Sequence, residues 1–224
     1  TPRSLHLYCA HPTQRMTTPP KRAFRWALLG YSILLLMLVS LPVLAVVTGA
    51  LHLDGLGDTA DGLLGGATRE RRLEIMRDPH AGSYAIVAIA SVLLLKFGAL
   101  VSLDDADRRA ALLLAPAAAR CGMVAVAAAF PYARDGGLGA SFRVHAWPLA
   151  LALCAATALI ASVALFGFAG VAVVAAAVVV ALAIGAYALS LAGGVTGDVY
   201  GAAIEISEAA ALLCVVAFAG RGWL

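Results

Sequence analysis

The stretch LHLDGLGDTADGLLGG, residues 51–66, places three aspartates and a histidine directly after a long apolar run. Asp54, Asp58 and Asp61 are spaced so that a helix would present all three carboxylates on one face. Like charges at this spacing repel one another, and a cation between them would remove the repulsion. Carboxylate oxygens, together with water and substrate phosphates, are the ligands that Mg²⁺ prefers. We therefore expect a helix with a magnesium-binding face; the alternative is a solvated loop whose aspartates cap the next helix.

The composition is that of an α-helical integral membrane protein. The chain has 224 residues, of which 62% are hydrophobic and 13% charged, and its mean hydropathy is +0.91. Charged residues lie between the apolar runs, because an unpaired charge in hydrocarbon costs about 3 kcal/mol. The net charge of +3 comes without a basic stripe, which argues against a nucleic-acid-binding protein. The four cysteines are widely separated and lack the spacing of metal ligands.

Apolar runs of about 20 residues predict the membrane spans. We expect an all-α polytopic bundle of about six transmembrane helices, at residues 26–50, 84–103, 109–130, 147–168, 170–191 and 203–218. A tight turn near Gly167 and Gly170 would separate the fourth span from the fifth. An amphipathic helix at residues 68–83 would lie at the membrane interface. Residues 1–22 are expected to be disordered or a non-native leader, and residues 23–224 to form a single catalytic domain.

The arginines indicate how the bundle is oriented. If the spans alternate, residues 51–83, 131–146 and 192–204 form loops on one face. The positive-inside rule places this face in the cytoplasm. The basic residues at 21–25 conflict with that assignment, and either one span too few or a non-native leader would explain the conflict. The arginines of the cytoplasmic face are Arg69, Arg71, Arg72, Arg77, Arg134 and Arg143, against Arg108, Arg109 and Arg221 on the opposite face.

Residues 68–83, TRERRLEIMRDPHAGS, form a second charged cluster on the cytoplasmic face. Its arginines suit phosphate oxygens, because a guanidinium group offers several donors in one plane. Its acids repeat at Glu70, Glu74 and Asp78. The alternative is a surface helix whose charges pair with each other and with lipid head groups.

Residues 193–208, GGVTGDVYGAAIEISE, form a third cluster at the start of the last predicted span. The glycines make a backbone that a ligand can approach closely. Acids within a bilayer mark functional sites by default, here with a metal, Lys96 or Arg120 as the partner. The alternative is that they form buried pairs between helices. The acids of this cluster are Asp198, Glu205 and Glu208.

Together, these clusters favour phosphoryl transfer, which needs metal ions to hold a diphosphate and cations to stabilise the developing charge. Arg134, in the glycine-rich loop at residues 131–139, adds another phosphate donor. The sequence contains no Ser-His-Asp arrangement, P-loop or HExxH motif that would point to another chemistry.

The chain closely resembles the cobalamin synthase family, the membrane-bound adenosylcobinamide-GDP ribazoletransferases. The resemblance implies a Mg²⁺-dependent step late in vitamin B12 synthesis, catalysed in the bacterial inner membrane. Adenosylcobinamide-GDP would be joined to α-ribazole or its 5'-phosphate with release of GMP. The family usually carries an additional N-terminal membrane segment, which we expect to be missing from this chain. The resemblance spans residues 51–218 and rests on HLDGLGDTADG (52–62), LEIMRDPHAGSYA (73–85), YARDGGLG (132–139) and GGVTGDVYGAAIEISE (193–208).

The resemblance also implies roles for single residues. Mg²⁺ on the diphosphate would be held by Asp54, Asp58, Asp61 and Asp198. Cofactor and substrate binding would fall to Gly193, Gly194, Gly197 and Lys96. In the catalytic group, the arginines would stabilise the charge on the leaving GMP. The carboxylates would complete the metal shell, and one of them, which the sequence does not identify, would deprotonate the acceptor hydroxyl. That group comprises Asp61, Glu74, Asp78, Arg77, Arg120, Arg134, Glu205 and Glu208.

Two other functions compete with this interpretation. A CDP-alcohol phosphotransferase also sets aspartates on membrane helices, but residues 51–66 lack the Ala-Arg of its Asp-Gly-x-x-Ala-Arg motif. A membrane carrier would use Glu205, Glu208, Lys96 and Arg120 as a midplane site, yet the acids concentrate at one face. Membrane lipid is an expected partner, and the sequence leaves the oligomeric state open.

Overall fold

The computed structural model describes residues 50–134 and 147–223, and the regular elements within them are helices. In chain order these are α1 (Leu51–Gly65), α2 (Arg69–Ile75), α3 (Ser83–Ser102), α4 (Asp105–Ala129), α5 (Trp147–Ala192) and α6 (Gly197–Ala219). The expected all-α architecture is confirmed for this part of the chain. The predicted leader, the first predicted span up to residue 49 and Arg143 lie outside the described residues.

Four of the described helices are long and apolar enough to cross a membrane: α3, α4, α6 and the Leu151–Ala192 part of α5. The longest, α5, is broken at Gly167, where φ is 58° and ψ is −139°. A Cβ atom on Gly170 would collide with the carbonyl group of Ser162. A straight helix would separate these two residues by about 12 Å. The chain therefore turns back at Gly167 and forms two arms, at residues 147–166 and 168–192.

Two predicted boundaries are wrong. The helix α6 begins at Gly197, inside the predicted loop at residues 192–204, because the Thr196 side chain accepts a hydrogen bond from Val199 N and caps the helix. The predicted interfacial helix at residues 68–83 is helical only over the range of α2. Asp78 precedes a proline, and this position disfavours helical backbone, so the third acid of the predicted repeat lies beyond the helix.

The helix α6 lies at the centre of the bundle and packs against α1, α3, α4 and α5. Its contact with α1 is close because both helices carry glycine there. A Cβ atom on Gly55 would lie 2.8 Å from the Asp198 carbonyl oxygen, and one on Gly201 would lie 2.9 Å from the His52 carbonyl oxygen. Small residues let helix backbones approach to this degree. The acidic helix α1 is therefore fixed beside the first turns of α6.

A buried ion cluster joins α3 to α6. Lys96 Nζ lies 2.7 Å from Glu205 Oε2 and 3.3 Å from Glu208 Oε1. The Lys96 side chain is only 5% exposed, so its charge depends on these two acids for stabilisation. We call these three residues the Lys96 cluster. For Glu205 and Glu208, the structure therefore shows buried pairing between helices, which the sequence analysis gave as the alternative to a metal site.

Two arginines of α2 hold the carboxyl end of α5. Arg69 Nε donates to the Ala192 carbonyl oxygen at 3.0 Å, and Arg72 Nη1 donates to the Leu191 carbonyl oxygen at 3.1 Å. The last carbonyl groups of a helix lack partners within the helix and carry partial negative charge, which makes guanidinium groups favourable there. These two arginines, which the sequence groups with phosphate-binding residues, are therefore engaged by the protein backbone.

The Lys96 cluster predicts a large effect of a single substitution on stability. Lys96→Met leaves the buried Glu205 and the partly buried Glu208 without a cation, and we expect it to lower the free energy of unfolding by about 3–5 kcal/mol. The triple variant Lys96→Met, Glu205→Gln, Glu208→Gln should recover most of the loss, because no unpaired charge remains. Thermal unfolding in detergent measures both, with Arg221→Met at the exposed end of the chain as the control. A triple variant no more stable than the single one would contradict the pairing.

Candidate active site

The three aspartates of α1 lie on one helix, as their spacing predicts, but Asp61 is engaged by the protein itself. Its carboxylate oxygens accept hydrogen bonds from the backbone N–H groups of Gly82 at 2.6 Å and Ala85 at 3.0 Å. Gly82 is the N-cap of α3, and Ala85 lies in its first turn. A negative charge at this end of a helix satisfies free N–H groups and opposes the helix dipole. Asp61 therefore anchors α3 to α1.

Asp58 is half-buried among other acids. Burial raises the pKa of its carboxyl group to about 7; Asp54, Asp198 and Asp61 add to the rise, and Arg134 opposes it. The charged form of such a group is costly in the protein, and a bound cation would stabilise it. Carboxyl groups perturbed by burial and by specific charged neighbours are typical of functional sites.

Asp198 lies in the first turn of α6, close enough to Asp58 to affect its protonation. Its Oδ2 atom lies 3.0 Å from Arg134 Nη2 and accepts a hydrogen bond from the Thr196 hydroxyl group at 3.1 Å. The side chains of Arg134 and Asp198 are only 12% and 23% exposed. An arginine is thus placed against acids from two helices. We call Asp54, Asp58, Asp198 and Arg134 the Asp198 site.

The loops that the sequence places on one face meet beside this site. Tyr132 and Val195 form a parallel bridge, in which Ala133 N donates to Val195 O at 2.8 Å and Val195 N donates to Pro131 O at 2.9 Å. Arg69 Nη2 donates to the Ala133 carbonyl oxygen at 3.2 Å, which adds the segment that follows α1. These bonds fix Arg134, the next residue along the chain, at the first turn of α6.

The glycines before α6 accommodate the protein's own groups. Gly193 has φ 75°, a conformation that residues with side chains rarely adopt. A Cβ atom there would lie 2.8 Å from Arg69 Nε, and one on Gly194 would lie 2.5 Å from the Pro131 carbonyl oxygen. Gly197 is the first residue of α6. Contact of these glycines with a ligand stays a prediction.

The acids of α2 and of the turn after it are paired at the surface. Glu74 Oε2 lies 2.7 Å from Arg71 Nη1, and Asp78 Oδ1 lies 2.7 Å from His80 Nδ1. The hydrogen bonds from His80 lower the pKa of Asp78. Arg77 is exposed in the same turn. The structure therefore places these three predicted catalytic residues at the surface, in separate pairs or alone, and catalytic roles for them stay predictions.

A second group of charges surrounds the Lys96 cluster. Burial lowers the pKa of His52 in α1, while Glu205 opposes the shift and Arg120 adds to it. Arg120 is exposed, and its Nη1 atom donates to the Pro116 carbonyl oxygen of its own helix at 3.0 Å. Glu205 lies about two helical turns, or about 10 Å, beyond Asp198 along α6. The predicted site residues on α6 are therefore divided between two separate groups.

The residues of the Asp198 site fit a magnesium ion that is bound together with a diphosphate. Within the described ranges, no group of three or more His, Cys, Asp or Glu residues is arranged to hold a metal ion. Mg²⁺ commonly takes one or two carboxylates and completes its shell with water and substrate phosphates. Asp58 and Asp198 supply two carboxylates, and burial, together with the neighbouring acids, raises the pKa of Asp58.

Sequence reasoning missed Thr196, which holds two parts of the site in place. Its hydroxyl oxygen accepts from Val199 N at the start of α6 and its hydroxyl group donates to the Asp198 carboxylate. Thr196 is completely buried, so both interactions are shielded from solvent. A threonine directly before an apolar helical run is an N-cap signal, and it could have revealed both the true start of α6 and this residue.

Comparison with known proteins identifies the family that this chain matches. Residues 22–216 match the family described as cobalamin-5-phosphate synthase. A relative from Pseudomonas savastanoi pv. phaseolicola, named adenosylcobinamide-GDP ribazoletransferase, is 44% identical over 200 residues, which cover 85% of this chain and 82% of the relative. A protein of the same name from Pseudomonas fluorescens is 40% identical over 84% of this chain and 78% of its own length. Another from Desulforamulus reducens is 39% identical over 76% of this chain and 68% of its own length. No solved structure matches the chain.

The anchoring role of Asp61 predicts a loss of stability on truncation. We expect Asp61→Ala to lower the free energy of unfolding by about 1–2 kcal/mol, because two N–H groups of the α3 terminus lose their acceptor. Asp104→Ala removes the N-cap of α4, whose carboxylate accepts from Ala106 N and Asp107 N, and serves as the matched control. Thermal unfolding should show a similar loss for both variants. Wild-type stability of Asp61→Ala would contradict the anchoring role.

The raised pKa of Asp58 predicts a pH dependence of stability. The native protein keeps a proton on Asp58 up to about pH 7, whereas the unfolded chain releases it near pH 3.8. The native state therefore binds more protons in this window, so stability should fall as pH rises through it and level off above pH 7. Melting temperatures across this range should decline less for Asp58→Asn than for the wild type. Asp105→Asn, in an exposed ion pair, should follow the wild type, and equal slopes for all three proteins would contradict the assignment.

Proposed function

The chain belongs to the cobalamin-5-phosphate synthase family, and from this membership we propose that it catalyses the reaction named in its relatives. Adenosylcobinamide-GDP donates its adenosylcobinamide phosphate to α-ribazole or α-ribazole 5'-phosphate. GMP is released, and adenosylcobalamin or its 5'-phosphate is formed late in vitamin B12 synthesis. The grouping of Asp58, Asp198 and Arg134, where α1, α6 and the loop after α4 meet, is the structural observation that best supports this function.

The chemistry is a substitution at phosphorus. A hydroxyl oxygen of the ribazole acceptor bonds to the phosphorus attached to cobinamide, and the bond from that phosphorus to the bridging oxygen breaks. The bridging oxygen leaves with GMP, and the acceptor hydroxyl gives up its proton. Because charge builds on the bridging oxygen and on the phosphoryl oxygens, catalysis depends mainly on positioning and on positive charge near them.

Arg134 is suited to stabilise the charge of the departing GMP. Its guanidinium group is buried against Asp198, so it is already oriented, and a buried charge acts more strongly than an exposed one. Asp58 and Asp198 would hold Mg²⁺ on the diphosphate, with Asp54 at the exposed end of the stripe. When bound, the ion neutralises phosphate charge and orients the two phosphates. Asp61 supports this arrangement indirectly, because it holds the N-terminus of α3 against α1.

The membrane arrangement is part of the proposal. With α5 folded into two arms, the four long apolar helices support five of the about six spans predicted from the sequence. The Asp198 site lies at one end of the bundle, at the start of α6. We place this end at the cytoplasmic face of the bacterial inner membrane, because the loops on this side carry more arginines than those on the opposite side. Both the CDP-alcohol phosphotransferase and the carrier are disfavoured by the family match.

Incubation of the purified 224-residue chain with adenosylcobinamide-GDP, α-ribazole and Mg²⁺ tests the function by release of GMP. We expect turnover by the wild type and a loss of about 100-fold or more in Asp58→Asn, which should still insert into membranes. Asp105→Asn, at the start of α4, controls for the loss of an aspartate and should turn over normally.

Near-wild-type turnover of Asp58→Asn would contradict the role of the Asp198 site. Absence of GMP release by the wild type, combined with release of CMP from a CDP-alcohol, would instead support the lipid enzyme. Omission of Mg²⁺ with added chelator should abolish turnover, and full activity under those conditions would contradict the magnesium requirement.

A further inference from the structure

Thr59 carries a buried hydroxyl group that the interactions described so far leave unexplained. The residue is 6% exposed, and its Oγ1 atom has no hydrogen-bond partner among the residues that the structure describes. Threonines within helices commonly donate to a carbonyl group one turn back, as Thr157 does to Leu153 at 2.9 Å. Buried polar groups without partners are rare in native proteins, because their desolvation is not compensated.

The neighbours of Thr59 on α1 show which direction it faces. Gly55, one turn earlier on the same side of the helix, is the residue that touches the Asp198 backbone. The side of α1 that carries Thr59 therefore lies against the first turn of α6. The stripe of Asp54 and Asp58 is the adjacent stripe of the same helix.

A second contact shows what lies against the same side of α1 after Thr59. Gly62, nearly one turn after Thr59, packs against the Met76 side chain. Met76 Sδ in turn lies 3.9 Å from the hydroxyl group of Thr196, the N-cap of α6. Between Gly55 and Gly62, Thr59 is thus directed toward residues 196–198, next to the Asp198 site.

Arg134 contributes an unused donor to the same site. Its Nε atom is buried and has no hydrogen-bond partner in the described part of the chain, while its Nη2 atom lies against Asp198. The first N–H groups of α6 add positive potential at this point, as the N-terminus of a long helix does. A hydroxyl group, a guanidinium group and a helix N-terminus are all donors, and they lie beside carboxylates that suit a metal ion.

We propose that the Thr59 hydroxyl and Arg134 Nε donate hydrogen bonds to one non-bridging phosphate oxygen of adenosylcobinamide-GDP, bound between α1 and the first turn of α6. This assignment rests on the proposed function and names a substrate-binding residue, Thr59, within the Asp198 site. An oxygen anion is the ligand that donors of this kind select, and a phosphate can contact the donors and a carboxylate-bound Mg²⁺ at once. The substrate supplies the acceptor that both buried donors lack.

The test uses variants whose effects on stability and on binding have opposite signs. Thr59→Val replaces the unpaired hydroxyl group by a methyl group of similar size, so its melting temperature should equal or exceed that of the wild type. The Kd for adenosylcobinamide-GDP, measured by equilibrium dialysis with Mg²⁺ and without acceptor, should rise about tenfold, and kcat/KM for GMP release should fall about tenfold. Thr59→Ser keeps the hydroxyl group and should restore both. Thr157→Val is the matched control, because its hydroxyl group bonds only within α5.

Wild-type values of Kd and kcat/KM in Thr59→Val would overturn the proposal. So would a lowered melting temperature with unchanged Kd, which would assign the hydroxyl group to packing or to a buried water. If Thr59→Val does not fold, Thr59→Ala is compared with Thr59→Ser by the same two measurements. A wild type that binds adenosylcobinamide-GDP but releases no GMP would contradict the proposed function alone, since the dialysis still tests Thr59.

Discussion

The close contact of α1 with α6 is the constraint on which the remainder of the described structure depends. Gly55 and Gly201 bring the two backbones together, so a helix with three acids lies against the first turns of a helix that is long and apolar enough to cross a membrane. Any side chain at either position would separate the helices and move Asp58 away from Asp198. Burial raises the pKa of Asp58, and Asp54 and the Asp198 carboxyl group of the neighbouring helix add to the rise. The packing of α1 on α6 thus sets the charge around Asp58 and Asp198, and this negative charge favours a cation as the ligand.

The helix α3 is fastened to this pair at two levels. Near the site, Asp61 of α1 binds its first N–H groups; deeper in the bundle, the Lys96 cluster joins it to α6. The two charged groups on α6 therefore differ in character. Around Asp198, the buried Thr59 hydroxyl and Arg134 Nε have no hydrogen-bond partner among the described residues, whereas Lys96 is already paired with both glutamates. This difference favours the Asp198 site for binding and the Lys96 cluster for holding the helices in place.

Features that depend on local spacing could be predicted from the sequence, whereas contacts between segments distant in the chain could not. Membrane class, the helical spacing of the α1 aspartates, the reversal near Gly167 and the grouping of three loops follow from hydropathy and periodicity. The partners of Asp61, Arg69 and Lys96 do not follow, because each partner is a backbone or side-chain group brought close only by tertiary packing. From residue type alone, Arg69 and Arg72 were expected to bind phosphate, as Arg134 was. Their contacts with the carbonyl groups at the end of α5 could not be predicted in this way. The start of α6 was predictable from Thr196 alone, since the capping signal is local.

The reversal of α5 also affects how the chain is oriented in a membrane. Because it turns back at Gly167, the two ends of α5 lie at the same end of the hairpin. Residues 147–192 contain no Asp, Glu, Lys or Arg, so the hairpin offers no charge for an insertion machinery to read. The direction in which the chain enters α6 therefore depends on this reversal at Gly167, where φ is 58°. Lengthening or shortening both arms together would leave that direction unchanged.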